Sequence, residues 1–480
     1  MNTRDRIIFL LVIVTNAIYN AFMPLHEDEA YYWVWGKKLE LGYFDHPPMV
    51  AYVSKLFSLP GDNEFLVRLA AVFCMSVSAW LLLRLVKDAF SEQVMSVTLY
   101  VTLASIIVQG GFMLMTPDSP LMLFWALSLY FAYQYLFNGH KWAAWLTGIF
   151  IGFTMLSKYT GILLPIAFLL FMLSTDKRKL ILQKEIWIAG LLALVAFSPA
   201  LIWNYQHDWL SFSFQFNHGI AQEKTFHPEY LLEFIGGQVG IFNPVFFIAL
   251  LIFIVGQHKL IRQHPELLFM LFCFLIPFAF FTWHSAFQRS EVNWPAPASI
   301  SAFALVGYFV VAFNLKKTLY AGVTLTLIIM ALIKFPMLTP DTLTPVKLLQ
   351  ARLVGFNTVK DQLDPAIRLE DYDYLLIKDL HDADVVYELR AAEKSMIVTD
   401  SRFSQYDLWR EAEFKLPEEK WREMLADPMI KFPMKNALYI GSADRGTQLR
   451  SLFTEVNLLQ VLRYEDPWVA KTYYVYSVNN

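Results

Sequence analysis

The sequence is poor in the features that mark most soluble proteins. It has two cysteines in 480 residues. Both, Cys74 and Cys273, sit in apolar runs, so no disulfide framework is expected. Asp, Glu, Lys and Arg make up 17% of the chain, where soluble domains carry about 25%. No basic tract is present and the formal net charge is −3, so nucleic acid is not an expected partner. No Asn-x-Ser/Thr sequon occurs, in keeping with a bacterial source. Secreted, single-anchor and collagen-like classes are excluded.

What is present is apolar. Hydrophobic residues form 56% of the chain and the mean hydropathy is +0.41. The charge is unevenly spread: residues 1–340 carry 40 charged side chains and the much shorter stretch 341–480 carries 41. A membrane domain over 1–340 followed by a soluble domain over 341–480 is the expected organisation. A bilayer span needs about 20 mostly apolar residues. Eleven segments qualify or nearly do: 7–23, 65–86, 94–113, 119–137, 142–157, 160–174, 186–204, 236–256, 267–283, 297–313 and 318–335. The first is expected to stay, because no small-residue cleavage site follows it. The fifth and sixth are parted by Ser157-Lys158-Tyr159, which reads as a turn that keeps Lys158 from being a buried charge.

Loop cations give the orientation. With the N-terminus in the cytoplasm, 13 of the 21 Lys and Arg residues of 1–340 fall on the cytoplasmic side. The long outer loops are then 24–64 and 205–235, and the C-terminal domain is periplasmic. That domain reads as α/β. Apolar β-type runs lie at 372–377, 395–400, 437–441, 458–464 and 472–478, with helical patterns at 382–394, 402–413 and 417–426 between them. It contains no Gly-rich phosphate loop and no metal-ligand spacing.

The chemistry-bearing residues gather in the outer loops. His26-Glu27-Asp28-Glu29 puts three acids beside aromatic residues at a membrane surface, where desolvation raises a carboxyl pKa and suits a general base. Asp118, in MTPDSP, stands either as a helix N-cap or as a functional carboxylate. Asp45-His46 adjoins Pro47-Pro48 and is a pair able to hold a divalent metal or a phosphate, with His218 as an additional ligand. Lys158 and Arg289 are outer-face cations, set to meet a lipid phosphate or a loop carboxylate or to snorkel to headgroups. Together these suit a reaction on a phosphate-linked lipid.

DEAYYW, YFDHPP, TPDSPL and LSKYTG, in that order over roughly residues 1–300, resemble the membrane glycosyltransferases of the GT-C fold. More narrowly they resemble the bacterial protein O-mannosyltransferase-like family that includes the lipid A aminoarabinose transferase. The resemblance implies transfer of a monosaccharide, hexosyl or pentosyl, from a polyprenyl-phosphate donor at the periplasmic face of a bacterial inner membrane. It implies Asp28 and Asp118 as catalytic acids and Asp45 and His218 as metal-associated; Glu29, the neighbour of Asp28, is taken as auxiliary. Lys158 and His46, the latter in place of the family's Lys, would meet the donor phosphate, and Arg289 joins them by its own chemistry rather than by the resemblance. The family's Arg after the acid pair is Tyr31 here, which points to a donor sugar lacking a charge. Lys224 is the nearest counterpart of the family's further basic residue.

The chemistry stands without the family. A sugar phosphate has its leaving group at C1 already. The enzyme must take a proton from an acceptor hydroxyl and neutralise the departing phosphate. A carboxylate does the first; a cation or a metal does the second. An apolar groove between spans would hold the polyprenyl chain, and no nucleotide cofactor is needed. The acceptor stays open among glycan, lipid and protein. A glycan ligase using a lipid pyrophosphate, a lipid-linked sugar transporter and a structural subunit are the rival readings. Of these, the transporter would need internal repeats or charges within spans.

Overall fold

The computed structural model describes residues 1–216, 225–335, 358–397, 404–415, 434, 436–466 and 469–480. The chain divides into two compact units, and the division does not follow the order of the sequence. One comprises Met1–Ala21, Leu41–Val53 and Pro60–Leu332; the other comprises Phe22–Glu40, Ser54–Leu59 and Ile333–Asn480.

The first unit is helical. Four helices among the described residues are long and apolar enough to cross a membrane: Glu64–Ala89, Lys184–Gln206, Pro265–Ser285 and Lys316–Lys334. Three bent pairs raise this to seven if each is one span. Two of the pairs fall where the sequence reads as continuous. The segment 94–113 bends by 65° between Glu92–Leu103 and Ile106–Met113, and 236–256 lies in a pair bent by 107° between Pro228–Phe242 and Pro244–Gly256. The second break sits at Asn243, whose φ is +107°. A helix break among apolar side chains leaves amide groups without water. Asn243 offsets this: its side-chain amide donates to the carbonyls of Ala104 and Gly322 and to Thr326 Oγ1, at 3.2, 2.9 and 2.8 Å. Ala104 is itself at the other break, so one side chain serves both.

Helix Lys141–Ser157 packs closely on helix Lys184–Gln206. A Cβ at Gly148 would lie 2.1 Å from the Ala189 carbonyl oxygen, and one at Gly152 2.5 Å from that of Ala193. Small residues at this spacing let helix backbones approach where lipid supplies no hydrophobic drive.

The second unit holds a five-stranded sheet: β1 Tyr374–Ile377, β2 Ser395–Ile397, β3 Ala437–Gly441, β4 Glu455–Asp466 and β5 Val469–Asn479, in the order β2-β1-β3-β5-β4. The first three are parallel and the β3–β5–β4 part is antiparallel. Each β-type run seen in the sequence overlaps one strand. Of the three helical patterns, 382–394 shrinks to Ala383–Glu388, 402–413 becomes Gln405–Phe414, and 417–426 lies outside the described residues.

The stretch 24–64 is not a loop throughout. It contains helices Glu27–Lys37 and Met49–Phe57. The first belongs to the sheet's unit and is anchored there. Trp33 meets Tyr387 edge-on with centroids 5.0 Å apart, Tyr31 stacks on Tyr406 at 5.7 Å, and Glu40 accepts from Trp409 Nε1 and Gln405 Nε2 at 2.6 and 3.2 Å.

Candidate active site

In the helical unit the structure brings together two of the sequence candidates. Asp118 is the first residue of helix Asp118–Leu136 and Pro117 is its N-cap, so Asp118 is not the N-cap. The carboxylate instead accepts from Lys158 Nζ at 2.8 Å and from Asn293 Nδ2 at 2.6 Å, one partner on each oxygen. The Lys158 side chain is 11% exposed and that of Asp118 17%. The expectation that Lys158 is a turn residue and not a buried charge is therefore corrected. It is the last residue before a short 3-10 turn, Tyr159–Ile162, but its ammonium is buried, and the carboxylate offsets the desolvation. Asn293 was missed. It is 175 positions from Asp118, and no local pattern in the sequence signals it.

The same helical unit holds an apolar cavity of about 320 Å³, which Lys158 itself does not line. Met155 and Ile162 line it on either side of Lys158 in sequence, and Tyr135, Leu136, Met172 and Ile186 line it from helices Asp118–Leu136, Leu163–Leu173 and Lys184–Gln206. Behind Lys158, Tyr159 Oη lies 3.0 Å from Ser211 Oγ and accepts from Asn204 Nδ2 at 3.2 Å. That polar knot fixes the turn.

Asp45 and His46 belong to the same unit. Asp45 is buried, and its carbonyl accepts from Gln215 Nε2 at 2.7 Å. Phe44 packs on Phe214 at 4.5 Å, and Gly42 lies so close to Trp203 that a Cβ there would fall 2.8 Å from its Cγ. Met49 shares a cluster with Leu156, Phe197 and Ala200, against which Tyr159 packs, so YFDHPP and the Lys158 turn are held by one core. His218 and Lys224 lie outside the described residues. Among the described residues no group of three or more His, Cys, Asp or Glu side chains is arranged to hold a metal. Arg289 does not join the Asp118–Lys158 pair. It is exposed and bonded to Glu233 at 2.6 Å.

In the second unit the first-loop acids form the opening turn of helix Glu27–Lys37, not a solvated loop. Acids are favoured there by the helix dipole. His26 is the N-cap: its Nδ1 accepts from the Asp28 amide at 3.2 Å, and its own amide donates to Glu29 Oε2 at 2.9 Å. Glu29 is buried in that capping role, whereas the Asp28 side chain is 49% exposed and reaches His26 Nδ1 at 3.6 Å. Tyr31 is buried, and its hydroxyl accepts from the Gln405 amide at 3.2 Å. Its side chain is thus engaged with the C-terminal residues of its own unit.

Three comparisons bear on this arrangement. The dolichyl-phosphate-mannose-protein mannosyltransferase family matches residues 45–203, a stretch that contains Asp45, His46, Asp118 and Lys158. The lipid A galacturonosyltransferase RgtD of Rhizobium johnstonii is 26% identical over 423 residues, which span 84% of this chain and 83% of that protein. Among solved structures, ArnT of Cupriavidus metallidurans bound to undecaprenyl phosphate superposes with a TM-score of 0.71 at 14% identity, covering 99% of this chain and 98% of that one. Its apo form gives 0.68 at 15% identity, covering 98% and 97%. The archaeal oligosaccharyltransferase AglB of Archaeoglobus fulgidus shares the fold more distantly, with a TM-score of 0.52 at 12% identity over 91% of this chain and 70% of that one. Over most of its length the chain is thus similar to glycosyltransferases, and it shares the fold of ArnT.

Proposed function

We propose that this enzyme transfers one sugar from a polyprenyl phosphate to lipid A at the periplasmic face of a bacterial inner membrane. The observation that supports the reading is the buried Lys158 ammonium, in a unit that also holds an apolar cavity lined by its sequence neighbours Met155 and Ile162. A polyprenyl phosphate has that shape: an anionic head on an apolar tail. The tail lies in the cavity and the head meets Lys158. The acceptor is taken from RgtD, which acts on lipid A by its name and aligns over most of both chains.

In the reaction an acceptor hydroxyl oxygen attacks C1 of the sugar. The C1–oxygen bond to phosphate breaks, and the polyprenyl phosphate leaves with the electron pair. Lys158 neutralises the leaving charge. Asp28, with its accessible carboxylate, takes the hydroxyl proton. Asp118 orients Lys158 and Asn293, and its remaining lone pairs are left for sugar hydroxyls. Asp45 and His46 would hold a divalent ion that offsets phosphate charge, or His46 would meet the phosphate itself. RgtD supports a uronic acid as the sugar. Tyr31 does not argue against it, because its side chain is taken up by Tyr406 and Gln405.

The test is a transfer assay with purified protein in lipid. Polyprenyl phosphates carrying galacturonic acid, a neutral hexose or an amino pentose are offered with lipid A. Labelled lipid A is the expected product. Labelling of protein with no labelling of lipid A would overturn the acceptor, and turnover only with a pyrophosphate-linked glycan would favour a ligase. A reporter fused after Asn480 is expected to be active only in the periplasm, and a cytoplasmic signal would overturn the orientation.

A further inference from the structure

The buried charges of the sheet unit lead to a residue that the reaction does not obviously need. Asp384 is 3% exposed and Tyr473 is fully buried. Asp384 Oδ2 accepts from Tyr473 Oη at 2.9 Å and from Lys471 Nζ at 3.2 Å. Both donors are on β5. Lys471 Nζ has a second carboxylate neighbour, Glu27 Oε2, at 3.6 Å. Burial alone would lower the Lys471 pKa; Asp384 and Glu27 hold it above its ordinary value. His381 also feels the first-loop acids. Its hydrogen bond to Asp379 raises its pKa, and Glu27 and Asp28 raise it further.

The other anchors of helix Glu27–Lys37 act later along the chain. Tyr31, Trp33 and Glu40 dock the second turn and beyond. The capping box on His26 closes the first turn on itself. Helix ends fray unless held. Glu27 ties this turn to Lys471 on the sheet, and Asp28 is the next residue.

We infer that Lys471 is a positioning residue. Pinned by Asp384 and Tyr473, it holds Glu27 and so fixes the first turn that presents the Asp28 carboxylate. The inference rests on the assignment of Asp28 as the base. Its consequence is that the C-terminal sheet takes part in the transfer step without touching substrate. A carboxylate displaced by about 1 Å costs on the order of 100-fold in rate, and partial fraying costs less.

The experiment uses the full chain in lipid with a polyprenyl-phosphate sugar as donor. Lys471→Met strands a buried Asp384 and risks misfolding, so Glu27→Gln cuts the same tie while leaving Lys471, Asp384 and Tyr473 in place. Both variants are expected to lower kcat roughly tenfold or more, with KM for the donor unchanged. Lys471→Arg is expected to recover most of the rate. The double variant is expected to be no slower than the slower single one, as for two ends of one link. Wild-type kcat in Glu27→Gln, or a loss confined to donor KM, overturns the inference. Asp28→Asn separates the two levels. If it is inactive while Glu27→Gln and Lys471→Met turn over normally, the positioning role alone falls. If Asp28→Asn is itself active, the base assignment falls and the positioning role with it.

Discussion

The two units handle buried charge in different ways. In the helical unit the Asp118–Lys158 pair is compact and supplemented by an amide. In the sheet unit Asp382, Asp384 and Glu388 lie buried within one short stretch. Two of them are pushed toward neutrality: burial raises Asp382 to about 6 and Glu388 to about 8. The difference separates a compensated ion pair from a crowded set of acids. In the proposed reaction the Asp118–Lys158 pair would exchange partners when the donor phosphate arrives. A crowded set of acids under a sheet shapes its own domain and, through Lys471, the helix beside it.

The largest expected effect sharpens the comparison from the exposed side. Asp28→Asn should lower kcat by about 10²–10⁴, with a stability loss of at most about 1 kcal/mol from the weakened helix-dipole interaction. Glu29→Gln keeps a capping side chain and should retain most activity. Steady-state kinetics and thermal melts of both variants check this, and the reverse ranking would move the base by one residue.

Next comes the ion pair. Lys158→Met leaves a buried carboxylate without its cation, a loss of about 3–5 kcal/mol. The double variant Asp118→Asn with Lys158→Met carries no stranded charge. It should melt near the wild type yet turn over about 10²–10³ more slowly, the cost of one lost electrostatic stabiliser. A stable and active double variant would break the division between the two units.

A smaller effect reads the sheet unit through pH. The Glu388 carboxyl binds its proton more tightly folded than unfolded, so stability falls as pH rises from about 4.5, its ordinary value, to about 8. Glu388→Gln cannot lose that proton. Its melting temperature relative to the wild type should climb across that window, and equal slopes for the two proteins would refute the assignment. Smallest is Arg289→Ala. An exposed pair contributes about 0–1 kcal/mol, so stability and rate should change little. A large rise in donor KM would instead return Arg289 to the phosphate.

Much of this was legible along the chain and little of it across the chain. The strands β4 and β5 follow from runs such as TYYVYSV, in which alternate residues face one side. The apolar segments all became helices because length and hydropathy leave few other choices. The break at Asn243 had a local sign, the Asn-Pro dipeptide, which the apolar run around it masks. The helix at Glu27 was hidden because His26, an uncommon cap, stands where Ser, Thr, Asp or Asn is usual. The Asp118–Lys158 pair was legible as two candidates but not as a pair, since 40 positions separate them. The metal-associated pairing of Asp45 with His218 falls partly outside the described residues.

The make-up of the sheet unit has a consequence for synthesis. Its first-loop helix is among the earliest parts of the chain to be made, and β5, which carries Lys471, is the last strand. Contacts this distant along a chain form late and slowly. A ribosome-bound chain therefore presents Trp33, Tyr31 and their neighbours without the surface that later covers them. Catalytic competence should accordingly appear as a single late event in biogenesis, after the sheet closes, and not grow by degrees as successive helices enter the bilayer.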